Sequence, residues 1–188
     1  TVRGSVRESF ERESVSLAHY YATAIGEGIT MFWSAYEAEA EFRDRLIDAL
    51  RRVLPEECIL IEPSALVETA TDATDLRMEL PLLVVEPDNT EQVAELVKLA
   101  NDMKFALIPR GGGSGMTGGA VPARKRTLIV SLTRLTRIGP IDPDEMTVTC
   151  RAGAITQEVI NAVDAAGALF SVDPASKQAS SIGGNVSE

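Results

Sequence analysis

A glycine-rich segment between two apolar runs constrains the fold of this 188-residue chain more than any other feature. It occupies residues 109–122, begins and ends with proline, and contains Gly-Gly-Gly-Ser-Gly followed by a Gly-Gly pair. Glycine adopts positive φ without strain and lacks the Cβ that keeps a ligand away from the backbone. Successive backbone N–H groups can therefore converge on one anion, as they do in phosphate-binding nests. A flexible linker is the alternative, but the apolar runs and the stiff prolines favour a loop that binds a phosphate.

The charges near this segment also favour an anionic ligand. No Asp or Glu occurs between Asp102 and Asp142, although the whole chain has 28 acidic residues and a net charge of −10. We therefore predict a positive island around the glycine segment, and an overall field that argues against nucleic acid as a partner. The interval holds seven of the 18 basic residues, namely Lys104, Arg110, Arg124, Lys125, Arg126, Arg134 and Arg137.

The spacing of the glycines excludes the two best-known nucleotide-binding motifs. Gly113, Gly115 and Gly118 match the pattern GxGxxG, which requires a helix at its last glycine and an acidic residue about 20 positions later. Here Pro122 and an apolar run follow instead. The P-loop pattern fails as well, because Gly119 stands where it requires lysine. The sequence therefore predicts a strand, a glycine loop and a second strand.

The apolar pattern predicts a helical N-terminal part followed by alternating helices and strands. Residues 5–21 and 35–53 are expected to be helical, and Pro55 to end the second helix. Two further helices are expected, one capped by Asn89 with Gln92 and one closed by Gly167. A strand–helix–strand unit predicts neighbouring parallel strands. The predicted strands are residues 82–85, 105–108, 127–132 and 146–151.

Few side chains in this sequence could form a metal site, a disulfide or a catalytic triad. Cys58 and Cys150 lie far apart without CxxC spacing, which predicts two reduced thiols. His19 is the only histidine, so an imidazole-based triad is not expected. No apolar run approaches the ~18–20 residues needed to span a bilayer. We expect any chemistry to come from a bound cofactor.

A second segment rich in small residues and hydroxyl groups lies at residues 173–185. Taken alone, it could be a turn-rich tail or a second ligand-binding segment. Together the two segments resemble the FAD-linked oxidase family of the vanillyl-alcohol oxidase and p-cresol methylhydroxylase type, in its glycolate oxidase and D-lactate dehydrogenase branch. The resemblance covers residues 61–188. Its landmarks, in order, are residues 71–75, 87–93, 109–115, 147–153 and 173–185.

The resemblance implies an α+β fold, with residues 61–188 forming the N-terminal part of an FAD-binding domain of the p-cresol methylhydroxylase type. This part would contain the first α+β subdomain and the start of the second, and the domain would continue beyond this sequence. Residues 1–60 fall outside the resemblance and are expected to form a helical N-terminal extension.

The resemblance also implies that FAD is bound non-covalently, because the loop lacks the histidine that bonds to the flavin in some relatives. The glycine loop would hold the pyrophosphate, and the second segment would line the flavin and its ribityl chain. No catalytic or metal-binding residue is assigned, because in relatives these follow the matched region. The implied FAD contacts are Pro109, Arg110, Gly111, Gly112, Gly113, Ser114, Gly115, Met116, Gly118, Gly119, Pro174, Ala175, Ser176, Ser180, Ser181, Gly183, Gly184 and Asn185.

The resemblance further implies an FAD-dependent dehydrogenase that passes a hydride from a small 2-hydroxy acid, such as D-lactate or glycolate, to the flavin N5. The substrate would lie in a cap domain outside this sequence, so the chain by itself is expected to be inactive. A quinone, a cytochrome or an iron–sulfur partner would accept the electrons. We expect a cytoplasmic location, with the inner face of the membrane as the alternative. The rival functions are another flavin oxidoreductase of this fold and a non-catalytic phosphate-binding or interaction module.

Overall fold

The computed structural model of the protein describes residues 28–73 and 79–187, without the side chains of residues 28–36. The helix predicted over residues 5–21, the interpretation of His19 and part of the landmark at residues 71–75 lie outside this range. Contacts divide the chain into two compact units, one ending at Leu46 and the other running from Ile47. The predicted boundary after residue 60 stays a prediction.

The described residues form five helices and six strands, which we number in chain order. A single 3₁₀ turn, Glu56–Cys58, lies between the first helix and the first strand. The elements are α1 Gly28–Leu50, β1 Ile59–Leu60, α2 Pro63–Thr69, β2 Leu83–Val85, α3 Thr90–Met103, β3 Ala106–Arg110, β4 Thr127–Ser131, β5 Ile138–Asp142, β6 Thr147–Cys150, α4 Thr156–Ala165 and α5 Ile182–Ser187.

Helix α1 confirms most of the helix predicted over residues 35–53, but it ends earlier. Phe42, Leu46 and Leu50 recur at helical spacing and are buried. The last helical residue is Leu50, and its carbonyl then accepts from the backbone N–H of Leu54 at 2.8 Å in a turn. The turn places the end of the helix before Pro55.

The main sheet contains four strands in the order β1-β2-β4-β3. Strands β2, β4 and β3 are parallel, and Ile129 at the centre of β4 is paired with Val84 on one side and Ile108 on the other. All residues of β2 and β4 are buried, as expected of parallel strands in a sheet interior. The prediction that β2 and β3 are neighbours is wrong, because β4 lies between them.

The connection between β3 and β4 contains no helix, although the two strands are parallel neighbours. It leaves the sheet at the carboxyl end of β3, where the Arg110 carbonyl accepts from the Leu132 N–H at 2.8 Å. It returns at the amino end, where the Arg126 carbonyl accepts from the Ala106 N–H at 2.9 Å. The glycine loop therefore begins at one edge of the sheet and its chain ends at the opposite edge.

Helix α3 begins with the predicted capping arrangement. The Asn89 side chain accepts from the Gln92 N–H at 2.9 Å, and the Gln92 side chain accepts from the Asp88 N–H at 2.6 Å. Leu96 is buried. Its neighbour Val97 is 47% exposed, because one position of rotation places it at the edge of the apolar stripe.

A separate antiparallel pair, β5 and β6, packs against α4. The sequence predicts β6 but not β5, because Gly139 and Pro140 interrupt its apolar pattern. Their tolerance follows from a register shift between Ile138 and Ile141, since an irregular strand can carry residues that a regular strand excludes. Among the described residues, no helix is both long and apolar enough to cross a membrane.

Candidate cofactor-binding site

The glycine loop presents a row of backbone donors at the carboxyl edge of the main sheet. The N–H groups of residues 111–115 donate to no carbonyl among the described residues. Gly112 is exposed, and the other four residues are half-buried. Because backbone donors take their acceptors from protein, water or a ligand, these groups are available to a ligand with several anionic oxygens. The FAD diphosphate is such a ligand.

The structure brings the two segments into direct contact. A Cβ built on Gly111 would lie 3.2 Å from the Cβ of Ser181 and closer still to its hydroxyl. A Cβ built on Gly112 would lie 2.9 Å from the carbonyl carbon of Ala179. Only a residue without a side chain permits this approach, so the glycines at these two positions serve packing between the segments as well as access to the backbone.

The second segment is held by a buried hydroxyl network centred on Thr156. The hydroxyls of Thr156 and Ser180 lie 2.9 Å apart, and the Asn185 amide donates to Thr156 Oγ1 at 2.7 Å. Sequence reasoning missed Thr156, because a threonine next to an apolar helical pattern resembles a cap. The cap is instead Ile155, and Thr156 is the first helical residue with its side chain fully buried.

The remaining predicted residues of the second segment support this arrangement through the backbone. The Ser176 carbonyl accepts from Ala179 and Ser180 N–H groups at 2.8 and 2.7 Å. Gly183 donates to the Ala152 carbonyl at 2.8 Å, and a Cβ on Gly183 would collide with Ala152. Gly184 N–H lies 3.4 Å from the Ser181 hydroxyl. Pro174 is half-buried, and Ala175 is exposed.

The other residues of the first segment are more exposed. Met116 is 77% exposed, and Gly119 is also exposed. Ser114 is half-buried within the loop. Gly118 has a φ of 78°, a conformation that favours glycine. Pro109 lies in β3 and is exposed.

The guanidinium of Arg110 contacts the glycine loop. Its Nη1 donates to the Ala120 carbonyl at 3.3 Å, and its Nη2 donates to the Glu68 carbonyl at 3.5 Å. Burial lowers the pKa of Arg110, and the negative charges of Asp72 and Glu68 oppose that shift. Gly113 has a φ of 64°, and a Cβ on it would lie 2.6 Å from Arg110 Cζ. The guanidinium therefore occupies the space that a side chain at Gly113 would need.

The predicted positive island does not surround the glycines. Lys104 lies two residues before β3, and the three bases at residues 124–126 directly precede β4, so these four residues lie at the amino edge of the sheet. With a rise of about 3.3 Å per residue, the five-residue strands separate this edge from the loop by about 16 Å. Arg134 pairs with Asp88, with 2.6 Å between Nε and Oδ1. The loop thus depends on backbone donors more than on its basic neighbours.

Both cysteines are free thiols, as the sequence predicts. Cys58 is fully buried, and its Sγ donates to Asp88 Oδ2 at 3.6 Å. Burial raises the pKa of the Cys58 thiol, and burial also raises the pKa of Cys150. Among residues 28–73 and 79–187, no group of His, Cys, Asp and Glu side chains could hold a metal ion.

Comparison with known proteins agrees with this geometry. The family model described as FAD binding domain matches residues 81–188. Glycolate oxidase subunit GlcD of Bacillus subtilis (strain 168) is 32% identical over 117 residues, which are 62% of this chain and 25% of that protein. The D-2-hydroxyglutarate dehydrogenase of Xanthomonas citri pv. viticola is 34% identical over 143 residues, which are 76% of this chain and 30% of that protein. The chain thus spans less than a third of the length of either relative.

Solved structures show the same fold. The 4-ethylphenol oxidase from Gulosibacter chungangensis superposes with a TM-score of 0.69 at 25% identity, over 79% of this chain and 29% of that one. A p-cresol methylhydroxylase superposes with a TM-score of 0.68 at 19% identity, over 78% and 29% of the two chains. The family match covers both segments of the site. The chain therefore belongs to the family of FAD-binding domains, has the fold of the p-cresol methylhydroxylase type, and uses FAD as its cofactor.

Proposed function

We propose that this chain forms the diphosphate-binding part of the flavin site in a dehydrogenase for a small 2-hydroxy acid of the glycolate or D-lactate type. The observation that carries the proposal is the row of N–H groups at residues 111–115, in contact with residues 179–181. The names of the relatives support the substrate class. Besides the two described above, a D-lactate dehydrogenase of Anaerostipes hadrus is 35% identical over 106 residues. Glycolate, D-lactate and D-2-hydroxyglutarate all carry a hydroxyl next to a carboxylate.

FAD, when bound, supplies the acceptor for the hydride that leaves the hydroxyl-bearing carbon of the substrate. The residues of this chain bind and orient the cofactor. The N–H groups of residues 111–115 would hold the diphosphate, each charge-assisted bond contributing roughly 1.5–3 kcal/mol. Residues 174–176 and 180–185 would line the flavin and its ribityl chain. Several such bonds are sufficient for tight non-covalent binding.

The substrate pocket, its catalytic base and any metal ligands are proposed to belong to the rest of the protein, outside residues 1–188. The acceptor is proposed to be a quinone, a cytochrome or an iron–sulfur protein, reached in the cytoplasm or at the inner face of the membrane. Cell fractionation and a comparison of quinone and cytochrome reduction rates test these two points.

The whole flavin-loaded protein, including the part outside residues 1–188, provides the test of the proposed function. ADP shares the diphosphate with FAD, so it should weaken FAD binding competitively; equal FAD affinity with and without saturating ADP would contradict the assignment of the loop. Glycolate, D-lactate, D-2-hydroxyglutarate, a primary alcohol and a nucleotide sugar are then added anaerobically, and loss of the oxidised flavin absorption is followed. Reduction by the hydroxy acids alone is expected. Reduction by the alcohol or the nucleotide sugar would instead favour another oxidoreductase of this fold.

A further inference from the structure

The guanidinium of Arg110 connects three parts of the chain that are distant in sequence. Its Nη1 reaches the Ala120 carbonyl at the far end of the glycine loop, at 3.3 Å. Its Nη2 reaches the Glu68 carbonyl near the end of α2, at 3.5 Å. The backbone of Arg110 is itself fixed to the sheet through Leu132. The side chain thus joins the start of the loop, its end and the last turn of α2.

The residues that follow α2 contact the loop at a second point. The Ala73 N–H donates to the Gly115 carbonyl at 3.2 Å. Glu68 lies in the last turn of α2, where helix carbonyls have no partner within the helix. Arg110 supplies a donor to this helix end from a different part of the chain. Residues 68–73 therefore contact the loop in two ways, through the Arg110 guanidinium and through the backbone hydrogen bond from Ala73 to Gly115.

Both acceptors of the Arg110 guanidinium are backbone carbonyls of the protein. A planar guanidinium can donate to two carbonyls at once, whereas a lysine ammonium is a compact charge without this fork. The negative charges of Asp72 and Glu68 act on the same group. The guanidinium thus donates to two protein carbonyls, and it occupies the space that a side chain at Gly113 would need.

We propose that Arg110 is a positioning residue, which holds the glycine loop in its diphosphate-binding shape by joining Ala120 to the last turn of α2, and that it does not itself bind the diphosphate. The proposal rests on the proposed function, because it takes the loop to be the site of the cofactor diphosphate. It assigns the importance of this position to the fork of the arginine and not to its charge.

The test compares ADP and FAD affinity in wild type, Arg110→Lys, Arg110→Met and Arg124→Met. Arg124→Met removes the same charge from the amino edge of the sheet and controls for net charge. A positioning role predicts that Lys and Met at position 110 both weaken binding by at least tenfold, with the salt dependence of binding unchanged. Substantial rescue by Arg110→Lys, or a shallower salt dependence in Arg110→Met alone, would overturn the proposal, because either result indicates a direct phosphate contact.

Hydrogen exchange in the ligand-free protein supplies an independent readout. The Ala73 amide, which donates to the Gly115 carbonyl of the loop, should exchange at least tenfold faster in both variants, while the amides of β4 stay protected. Unchanged exchange at Ala73 would contradict the positioning role, and so would uniform loss of protection throughout the sheet. If wild type itself fails to bind ADP, the proposed function is wrong, whereas rescue by lysine in a protein that binds ADP refutes only the role of Arg110.

Discussion

A single methyl group at Gly112 tests whether the contact between the two segments is needed for cofactor binding. The Cβ of an alanine there would lie 2.9 Å from the carbonyl carbon of Ala179, and even closer to its oxygen. Ordinary contacts of this kind begin near 3.4 Å. Ala179 cannot withdraw easily, because its N–H and that of Ser180 both donate to Ser176. The carbonyl oxygen is the nearest atom, so the segments must separate by more than an ångström or distort. Such overpacking typically costs about 1–3 kcal/mol.

This cost would be felt in cofactor affinity, because the loop and the second segment both take part in the proposed site. The expected loss of FAD affinity for Gly112→Ala is about 5- to 150-fold, at about 1.4 kcal/mol per tenfold change. The assay is a calorimetric titration with FAD and ADP, together with urea unfolding of each variant.

Gly119→Ala is the matched control in the same loop. A Cβ at Gly119 would have Thr117 Oγ1 as its nearest neighbour, at 3.6 Å, which is an ordinary contact. Neither glycine has a positive φ, so backbone strain does not distinguish the two variants. The family resemblance implies that Gly119 lies near FAD, but the proposed diphosphate donors are residues 111–115, and a methyl group at Gly119 has room. We therefore expect Gly119→Ala to bind FAD within about twofold of wild type, a change of about 0.5 kcal/mol at most. Equal affinities for the two variants would refute the reasoning.

Three other perturbations give expected results of different kinds. Gly113→Val places a branched side chain at a φ of 64° and against the Arg110 guanidinium; with backbone strain of about 1–2 kcal/mol, it should leave far-UV circular dichroism unchanged and yield protein without flavin, and a yellow variant would show that the loop does not hold the diphosphate. Thr156→Val removes a hydroxyl bonded to Ser180 and Asn185, so the free energy of unfolding should fall by about 1–3 kcal/mol, whereas exposed Thr136→Val should change it little; equal stabilities would contradict the buried network. At pH 8, alkylation followed by peptide mass spectrometry should modify Cys58 more slowly than half-buried Cys150. Because burial raises the pKa of both thiols from 9.0, their contribution to stability is complete below pH 9 and is lost as the pH rises through the higher folded pKa values; stability that rises above pH 9 would oppose this.

The positions of the main strands could be predicted from sequence because each depends on a local apolar pattern. Strands β2 and β4 lie within a residue of the predicted ranges, and both are buried. Their order in the sheet could not be obtained in this way, since pairing of β4 between β2 and β3 depends on contacts between distant residues. Strand β5 was missed for a related reason: its pairing with β6 outweighs the poor strand propensity of Gly139 and Pro140.

The site shows the same limit. The glycines were visible in the sequence because their composition is unusual, and the charge interval between Asp102 and Asp142 was equally visible. Proximity in sequence did not translate into proximity in space for the bases, because a loop without a helix moves residues 124–126 to the opposite edge of the sheet. The contacts of Arg110 with Glu68 and Ala120 were not predictable, since they join residues that no local pattern relates.

The contact of Gly111 and Gly112 with residues 179–181 also determines when this site can exist during synthesis. The loop emerges from the ribosome long before residues 179–181, which pack against it. The hydroxyl network that holds these residues also requires Asn185. Pairings between residues so far apart in sequence form late, because the intervening chain must first be ordered. A nascent chain that ends before residue 185 therefore has its sheet strands but an incomplete diphosphate site. Stable binding of the cofactor during translation must await the emergence of residues 173–185 from the ribosome.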